Sequence, residues 1–473
     1  MCAKLDKAWN VIMSNREVFF SWQELRDCCG GTWLTEPTSD GGIYGVCDDS
    51  RTITPGALFV AIPGDLSDGH KYLATAVAKG AGALCVSREV TKEETGGCPC
   101  LLVPDSLKAM QELARAYRHR FPQLTVLGIT GSCGKTSTKE MCYAVLSQRW
   151  PGSVLKTEGN TNNHFGVPRN LLRLTADCQA AVIEMGSNHP GEIASLVRLV
   201  EPGIALVCNI GAAHLEAFHD LRGVAREKSA ILAGCAPDGV AIYPHEAAGK
   251  DILQAAAGSH RTLTFGQSPD ADVSCAYLGP REGAFALRLT WRATGECREL
   301  LWNLGGAHQA LNAAAAAAVG YACGLSPEEI VRGLQTVELP GARMKLQEAY
   351  GCHWANDAYN SNPSSCRASL DWFAEILPPQ SRALVILGDM LELGEASESA
   401  HREILDHARQ ILPGAEIVTV GSHFAGPSAE RGIVNYPNVQ IAKEAILPQL
   451  QPDEWLLLKG SNSIGLAKFI ALD

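Results

Sequence analysis

The chain has 473 residues, 46% hydrophobic and 19% charged, with a formal net charge of −11. That length exceeds a single hydrophobic core and sets a prior of two to three domains, while the composition lies well away from the disordered class. The acidic balance weighs against nucleic acid or an anionic membrane as the main partner, although local basic clusters leave room for an anionic substrate. The opening MCAKLDKAWN has no apolar run suited to a signal peptide. The longest apolar run, around Ala313–Val319, is short and alanine-rich, which reads as a buried helix and not a membrane span. The 17 cysteines are scattered with no C-x-x-C pair, a pattern that fits reduced thiols in a cytoplasm better than a disulfide framework or a zinc site.

Three blocks follow in chain order, over residues 1–122, 123–338 and 339–473. The first mixes strand-like runs at Ala57–Ile62, Ala83–Val86 and Leu101–Val103 with a helical stretch at Leu107–His119, and Pro122 interrupts the helical pattern. The second opens on the apolar run Thr125–Ile129 and repeats strand-then-helix units: Ala180–Glu184 with Glu192–Leu199, then Ile204–Asn209 with Val224–Leu232. Such alternation implies an α/β fold with helices on the faces of a parallel sheet. Val273–Leu289 is less regular, and Ala310–Cys323 is a strong helix candidate. From about Pro340 a second α/β domain begins, with strands expected at Leu384–Leu387, Ile417–Val420 and Trp455–Leu458.

The central motif is Gly128-Ile-Thr-Gly-Ser-Cys-Gly-Lys-Thr136, between an apolar strand and a helix expected over Lys135–Trp150. Glycines let backbone N–H groups encircle phosphate oxygens, the helix start adds partial positive charge, Lys135 neutralises the β- and γ-phosphates, and the Thr136 hydroxyl can ligate Mg²⁺. The position five before Gly134 is Ile129 and not glycine, so the loop has a shorter form built from Thr130, Gly131, Ser132, Cys133, Gly134, Lys135 and Thr136. A glycine-rich turn that binds nothing is the plain alternative; Gly-Lys-Thr in this setting weighs against it, although the loop alone says only nucleoside triphosphate. After it, Thr157-Glu-Gly-Asn-Thr-Asn-Asn-His-Phe-Gly-Val-Pro168 is dense in amides and hydroxyls, suited to hydrogen-bonding a polar ligand. Glu184 ends a buried strand, where α/β sheets place ligand and metal groups, and can complete an oxygen-rich Mg²⁺ shell with Thr136 and phosphate oxygens. Asn209-Ile-Gly-Ala-Ala-His-Leu-Glu216 ends the next strand with a histidine, and Glu227-Lys-Ser229 follows.

In this combination the chain resembles the Mur ligase family from about Ser50 to the C-terminus. The carriers are the phosphate loop, Gly159-Asn-Thr-Asn-Asn163, Glu184-Met-Gly-Ser-Asn-His-Pro-Gly-Glu-Ile193 and Asn209–Glu216, with Asn356-Asp-Ala-Tyr-Asn-Ser-Asn-Pro363 and Leu387-Gly-Asp-Met-Leu-Glu-Leu-Gly-Glu395. The last two, with Asn209–Glu216, look like the branch that adds D-alanyl-D-alanine. The resemblance implies three domains: a central phosphate-loop ATPase domain with a parallel sheet, flanked by a uridine-diphosphate-binding N-terminal domain and a Rossmann-like C-terminal domain. It implies ATP and two Mg²⁺ ions as cofactors, UDP-N-acetylmuramoyl-tripeptide and D-alanyl-D-alanine as substrates, and a cytoplasmic monomer that binds no nucleic acid and inserts in no membrane. The reaction would pass through an acyl phosphate, with Lys135, Glu184, His214 and Lys228 as its catalytic set. Thr136 and Glu184 would hold one Mg²⁺ and His214 a second, and Lys228 matches a family lysine that becomes a carbamate and serves as a metal ligand. An ammonium beside Mg²⁺ is repelled, whereas a carbamate supplies an anionic oxygen.

The same resemblance assigns Ser50, Arg51, Asp68, Gly69, His70, Thr157, Asn160 and Asn163 to the nucleotide-sugar substrate. It assigns Asn312, Arg343, Asp357 and Asn360 to the adenine and ribose side of ATP. Two departures stand out: the family's histidine–asparagine pair is His308-Gln309 here, and Asn462 stands where the branch usually has arginine. Cys133 reads as a tolerated small residue that could confer sensitivity to thiol reagents. Domain closure on nucleotide binding is expected, because third-domain contacts are useful only once docked. The rival readings are an amino-acid-adding or folylpolyglutamate-type ligase and a nucleotide-binding scaffold without catalysis. Against the scaffold stands the intact set Lys135, Glu184, His214 and Lys228.

Overall fold

The computed structural model describes residues 17–64 and 67–470, so the opening segment read above for a signal peptide lies outside the described residues. The chain divides into two compact units: one holds the residues up to Gln123 with Thr161–Ala176 and Arg198–Val200, and the other holds the rest. In the first unit, strands β1 (Thr32–Thr35), β2 (Val46–Cys47), β3 (Leu58–Val60), β4 (Ala83–Val86) and β5 (Cys100–Leu102) form one sheet in the order β1-β5-β4-β3-β2. Only β1 runs antiparallel, against β5. Helix α1 (Ser106–Arg118) starts where the Asp105 side chain accepts the Lys108 N–H at 3.0 Å. It packs Ala109, Met110 and Leu113 onto the sheet core. A short helix over Gly166–Leu171 belongs to the same unit, and the Asn163 side chain accepts the Gly166 N–H at 2.9 Å at its start.

The second unit contains two sheets. The larger runs through β6 (Thr125–Thr130), β7 (Val154–Lys156), β8 (Ala180–Glu184), β9 (Ile204–Val207), β10 (Val240–Pro244), β11 (Arg261–Gly266), β12 (Val273–Arg281), β13 (Ala284–Trp291) and β14 (Glu296–Trp302), in the order β14-β13-β12-β11-β10-β9-β6-β8-β7. Every pairing from β7 to β12 is parallel. The strands β6, β8 and β9 are buried almost throughout and mostly apolar because both faces are covered, the expected reading for a parallel sheet. The region read as irregular, Val273–Leu289, is an antiparallel ribbon of β12 on β13, continued by β14. A register shift between Tyr277 and Gly279 breaks the alternation that would have marked it as strand.

Helices α2 (Lys135–Arg149), α3 (Glu192–Val200, of which Arg198–Val200 are grouped with the first unit), α4 (Leu221–Ala233), α5 (Ala307–Ala322) and α6 (Pro327–Gln335) accompany this larger sheet in the chain. The alanine run read as a buried helix is α5, with Ala313–Ala318 packed in the core beside Met141 and Val145 of α2. Small side chains let these helices approach closely. At Gly333 of α6 a Cβ would stand 2.7 Å from Val145 Cα and 2.9 Å from the Ala144 carbonyl, so two helix backbones meet there.

The smaller sheet comprises β15 (Lys345–Ala349), β16 (Cys352–Asp357), β17 (Ala383–Gly388), β18 (Glu416–Val420), β19 (Val434–Tyr436) and β20 (Trp455–Lys459), in the order β15-β16-β20-β17-β18-β19. All its pairings are parallel except the β15–β16 hairpin. Helices α7 (Pro363–Ile376) and α8 (Ser397–Ile411) close one core against it. Among the described residues no helix is long and apolar enough to cross a membrane.

The close approach at Gly333 makes a direct prediction. Gly333→Ala, with no polar change, should destabilise the protein by about 1–3 kcal/mol through forced separation of α6 from α2. Urea unfolding that gives the wild-type midpoint would contradict the packing described.

Candidate functional site

The sheet order reverses direction at β6: the chain leaves it toward β7 and β8 on one side and returns at β9 on the other. Ligands of open α/β sheets bind at the carboxyl ends of strands near such a reversal. The loop from Thr130 to Thr136 lies there. Gly134 has φ +74°, and a Cβ on it would sit 2.6 Å from the Asn312 side-chain oxygen. Glycine is therefore required twice, for the left-handed backbone and for the approach of α5. Asn209, at the end of β9, pins the loop: its side-chain oxygen accepts the Cys133 N–H at 3.0 Å and its amide donates to the Cys133 carbonyl at 3.0 Å. Ser132 and Gly211 exchange two further hydrogen bonds, at 3.0 and 2.9 Å. The Lys135 ammonium lies over the loop, donating to the Gly131 carbonyl at 2.7 Å. Burial pushes the Cys133 thiol up from its ordinary range, which disfavours the thiolate.

Thr136 is the first junction. Its hydroxyl donates to Glu184 Oε1 at 3.3 Å and accepts from Arg343 Nη2 at 3.2 Å. Two hard oxygen donors thus converge from α2 and β8. Among the described residues there is no cluster of three or more His, Cys, Asp or Glu side chains that could hold a metal alone. That donor set suits Mg²⁺, which keeps waters and phosphate oxygens in its shell and needs only one or two protein oxygens. Glu184 is positioned from behind: its N–H donates to the Thr157 hydroxyl at 2.9 Å. Lys139, only 1% exposed, donates to the Thr157 carbonyl at 3.0 Å, sits 3.1 Å from Glu140 Oε1 and lies 3.9 Å from Glu184 Oε2. Sequence reasoning missed Lys139; its signal is a cation one helical turn after Lys135 on the same face of α2.

Lys228 and His214 form the second part. Lys228 is buried on α4 and donates to the Ser187 hydroxyl at 2.7 Å. Burial, reinforced by the Lys135 charge, lowers its ammonium to about 7. His214 precedes a short helix over Leu215–Phe218, and its Nδ1 lies 2.6 Å from Glu392 Oε2. The Phe218 ring is common to both: its centroid is 6.3 Å from that of His214 and 5.6 Å from Lys228 Nζ. The hydrogen bond from His214 holds the Glu392 carboxyl below its usual range. The neighbouring Glu227 is structural, accepting the Gly191 and Ile193 N–H groups at 2.7 and 2.8 Å at the start of α3.

Of the residues expected on the nucleoside side, Arg343 sets its guanidinium on the Thr136 hydroxyl at 3.2 Å and stacks 3.5 Å over the Tyr359 ring. Asp357 is buried, with Lys459 Nζ 2.6 Å away, the Met344 N–H at 3.1 Å and the Ser369 hydroxyl also bonded to it. Lys459 donates as well to the Asn360 carbonyl at 2.9 Å. Asn312 receives the Thr138 hydroxyl at 3.3 Å and donates to Gln309 Oε1 at 3.1 Å. The longer Gln309 side chain also reaches Met344 Sδ at 3.3 Å, and His308 Nε2 meets the same sulfur at 2.9 Å. Asn462 is exposed, next to Ser461, whose hydroxyl accepts the Leu391 N–H at 3.2 Å.

Within the first unit, Ser50 is buried and the neighbouring Arg51 is exposed, its guanidinium 2.7 Å from Asp49 Oδ2. The bond from Arg51 pulls the Asp49 carboxyl down to about 2. His70 is buried, with Nδ1 2.7 Å from Asp68 Oδ1, while its Nε2 accepts the Ser87 N–H at 3.1 Å. The two partners set the tautomer, with the proton on Nδ1. The Gly69 N–H donates to the Ile62 carbonyl at 2.9 Å. In the second unit Thr157 is buried as described, and Asn160 is exposed in the turn after β7.

Three family models match the chain: the Mur ligase middle domain over residues 129–320, the Mur ligase glutamate ligase domain over 342–462 and the Mur ligase family catalytic domain over 42–118. The UDP-N-acetylmuramoyl-tripeptide--D-alanyl-D-alanine ligase of Escherichia coli (strain K12) is 37% identical over 443 residues, covering 90% of this chain and 92% of its own. The protein of the same name from Bacillus subtilis (strain 168) is 35% identical, covering 80% and 81%. Among solved structures, MurF from Acinetobacter baumannii superposes with a TM-score of 0.86 at 31% identity, over 96% of this chain and 98% of its own. MurF ligase from Thermotoga maritima, in complex with ADP, gives 0.78 at 25% identity, over 90% and 96%.

The environment of His308 yields a pH prediction. Burial lowers its imidazolium to about 4 from the ordinary 6.5, so between those values the unfolded chain binds a proton that the folded chain refuses. Stability contributed by neutral His308 is therefore complete above about 6.5 and is lost as the pH falls toward 4. The melting temperature of the wild type should drop more between pH 7 and pH 5 than that of His308→Asn. Equal drops would show that His308 does not titrate as described.

Proposed function

The chain belongs to the Mur ligase family, and from that premise we propose that it joins D-alanyl-D-alanine to UDP-N-acetylmuramoyl-tripeptide at the expense of ATP, in peptidoglycan precursor synthesis. The observation that carries this reading is the convergence of Thr136, Glu184 and Arg343 at the mouth of a glycine loop bearing Lys135. Such a constellation is suited to neutralising charge on a transferring phosphoryl group. A carboxylate oxygen of the tripeptide attacks the γ-phosphorus, the bond to the β-phosphate oxygen breaks, and an acyl phosphate and ADP result. The dipeptide amine then attacks the acyl carbon, phosphate leaves, and the amine proton passes to solvent or buffer.

Lys135 and Arg343 supply fixed positive charge to this transfer. Glu184 and Thr136 would hold one Mg²⁺, and His214 with a modified Lys228 a second. When bound, these ions would draw the reacting anions together and stabilise the developing charge. Lys228 is suited to carbamate formation because an ammonium lowered to about 7 leaves much free amine at neutral pH. The amine nitrogen bonds to the carbon of carbon dioxide and a proton is released. Asn312, Asp357 and Asn360 line the nucleoside side. Asp357 also holds the Met344 amide, which fixes the segment carrying Arg343. Ser50, Arg51, Asp68, Gly69, His70, Thr157, Asn160 and Asn163 are proposed for the uridine-diphosphate sugar. Of these, His70 acts through local order, since both its ring nitrogens already hold Asp68 and Ser87, and Asn163 orders the Gly166 N–H through its side-chain oxygen. The proposed domains are residues 1–122, 123–338 and 339–473, working as a monomer in the cytoplasm.

Phosphate release from ATP tests the reaction directly. With UDP-muramoyl-tripeptide present, D-alanyl-D-alanine should drive turnover and single amino acids should not; the reverse preference would move the chain to an amino-acid-adding branch. Lys228→Ala should lose roughly 10²-fold in kcat and regain part of it with formate or acetate. Undiminished turnover in the plain variant would remove Lys228 from the mechanism.

A further inference from the structure

The turn after β17 carries a glutamate whose geometry is built, not incidental. Asp389 accepts the His423 and Phe424 N–H groups, both at 3.0 Å. The buried His401 ring accepts the Met390 N–H at 3.1 Å, and the Ser461 hydroxyl accepts that of Leu391 at 3.2 Å. Three successive residues are thus held by buried partners immediately before Glu392. Glu392 itself has φ +63° and its partner His214 has φ +52°, left-handed backbone at two non-glycine residues that face one another. Such backbone is unfavourable for residues with a side chain and persists where the surroundings over-determine it. Gly394, two residues on, lies against the other chain segment, with a Cβ position 3.3 Å from Glu216 Cα. The turn therefore seats on the backbone that carries His214. A half-exposed ion pair alone would be worth little, and would not call for two strained residues.

We infer that Glu392 is a positioning residue for His214. It accepts the Nδ1–H, fixes the ring's tautomer and plane, and leaves the Nε2 lone pair as the free donor. A carboxylate is an acceptor only, so the proton at this contact belongs to the histidine. An oriented imidazole with its second nitrogen held by a carboxylate is the arrangement by which proteins prepare a histidine for a cation. It also makes docking of the smaller sheet's domain a condition for a competent His214, since Glu392 comes from that domain. The inference rests on the proposed placement of His214 at the reacting groups.

The test uses the full chain labelled with [15N]histidine, the His214 signals being assigned by their loss in His214→Gln. In the wild type the ring nitrogens should report an Nδ1–H tautomer. Glu392→Ala should lose that signature and lower kcat by roughly 10- to 100-fold with KM for ATP unchanged. Glu392→Gln, which retains an acceptor oxygen, should restore the tautomer and much of kcat. A Glu392→Ala variant that keeps the Nδ1–H tautomer, or keeps wild-type kcat, overturns the inference. Failure of the wild type to turn over with D-alanyl-D-alanine would instead count against the proposed function, because the ring signature is read without turnover.

Discussion

Lys139 carries a charge with 1% exposure directly behind the phosphate loop, and a buried ammonium is tolerated only when its three protons find acceptors. It finds the Thr157 carbonyl and Glu140, with Glu184 just beyond. The three lie at the end of β7, on α2 and at the end of β8, so a single desolvated cation gathers the elements that frame the site. Glu140 is tied in turn to Lys156. The Thr157 hydroxyl then takes the Glu184 N–H, and the carboxylate sets one oxygen toward Thr136 and the other toward Lys139. Removing Lys139 would leave Glu140 and Glu184 buried with one cation fewer between them.

Around that anchor the molecule divides its labour. The larger sheet supplies a loop pinned by Asn209, and the smaller sheet's domain contributes Arg343 at Thr136, Met344 against His308 and Gln309, and Glu392 at His214. Gln309 illustrates how a departure from family pattern is absorbed. The extra methylene lets its amide reach the Met344 sulfur while its oxygen still receives Asn312, so Asn312 stays seated over Gly134.

Most of the elements were legible before any coordinates. Continuous apolar runs such as Thr125–Ile129 and Ala180–Glu184 are strands because both faces are buried, and that same burial makes them conspicuous in sequence. The loop, Glu184 and His214 were legible as candidates from their residue types at strand ends, whereas Lys228, inside helix α4, was singled out only by the family resemblance. The ribbon β12–β13 was not, because its register shift interrupts alternation exactly where alternation is the signal. Nor was the grouping of Thr161–Ala176 with the N-terminal unit, which depends on packing partners far away in the chain.

By itself the sequence determined the alternation of strand and helix, the position of the phosphate loop and the identities of the groups able to meet phosphate and metal. These are local properties, carried by periodicity and residue chemistry within a few turns. Tertiary structure alone decided which of them meet. It brought Arg343 to Thr136, buried Lys139 against Glu184, lowered Lys228 to about 7 and placed Glu392 on His214. Each depends on burial or on residues from distant segments brought within a few ångströms, and desolvation and proximity are written nowhere in a linear chain.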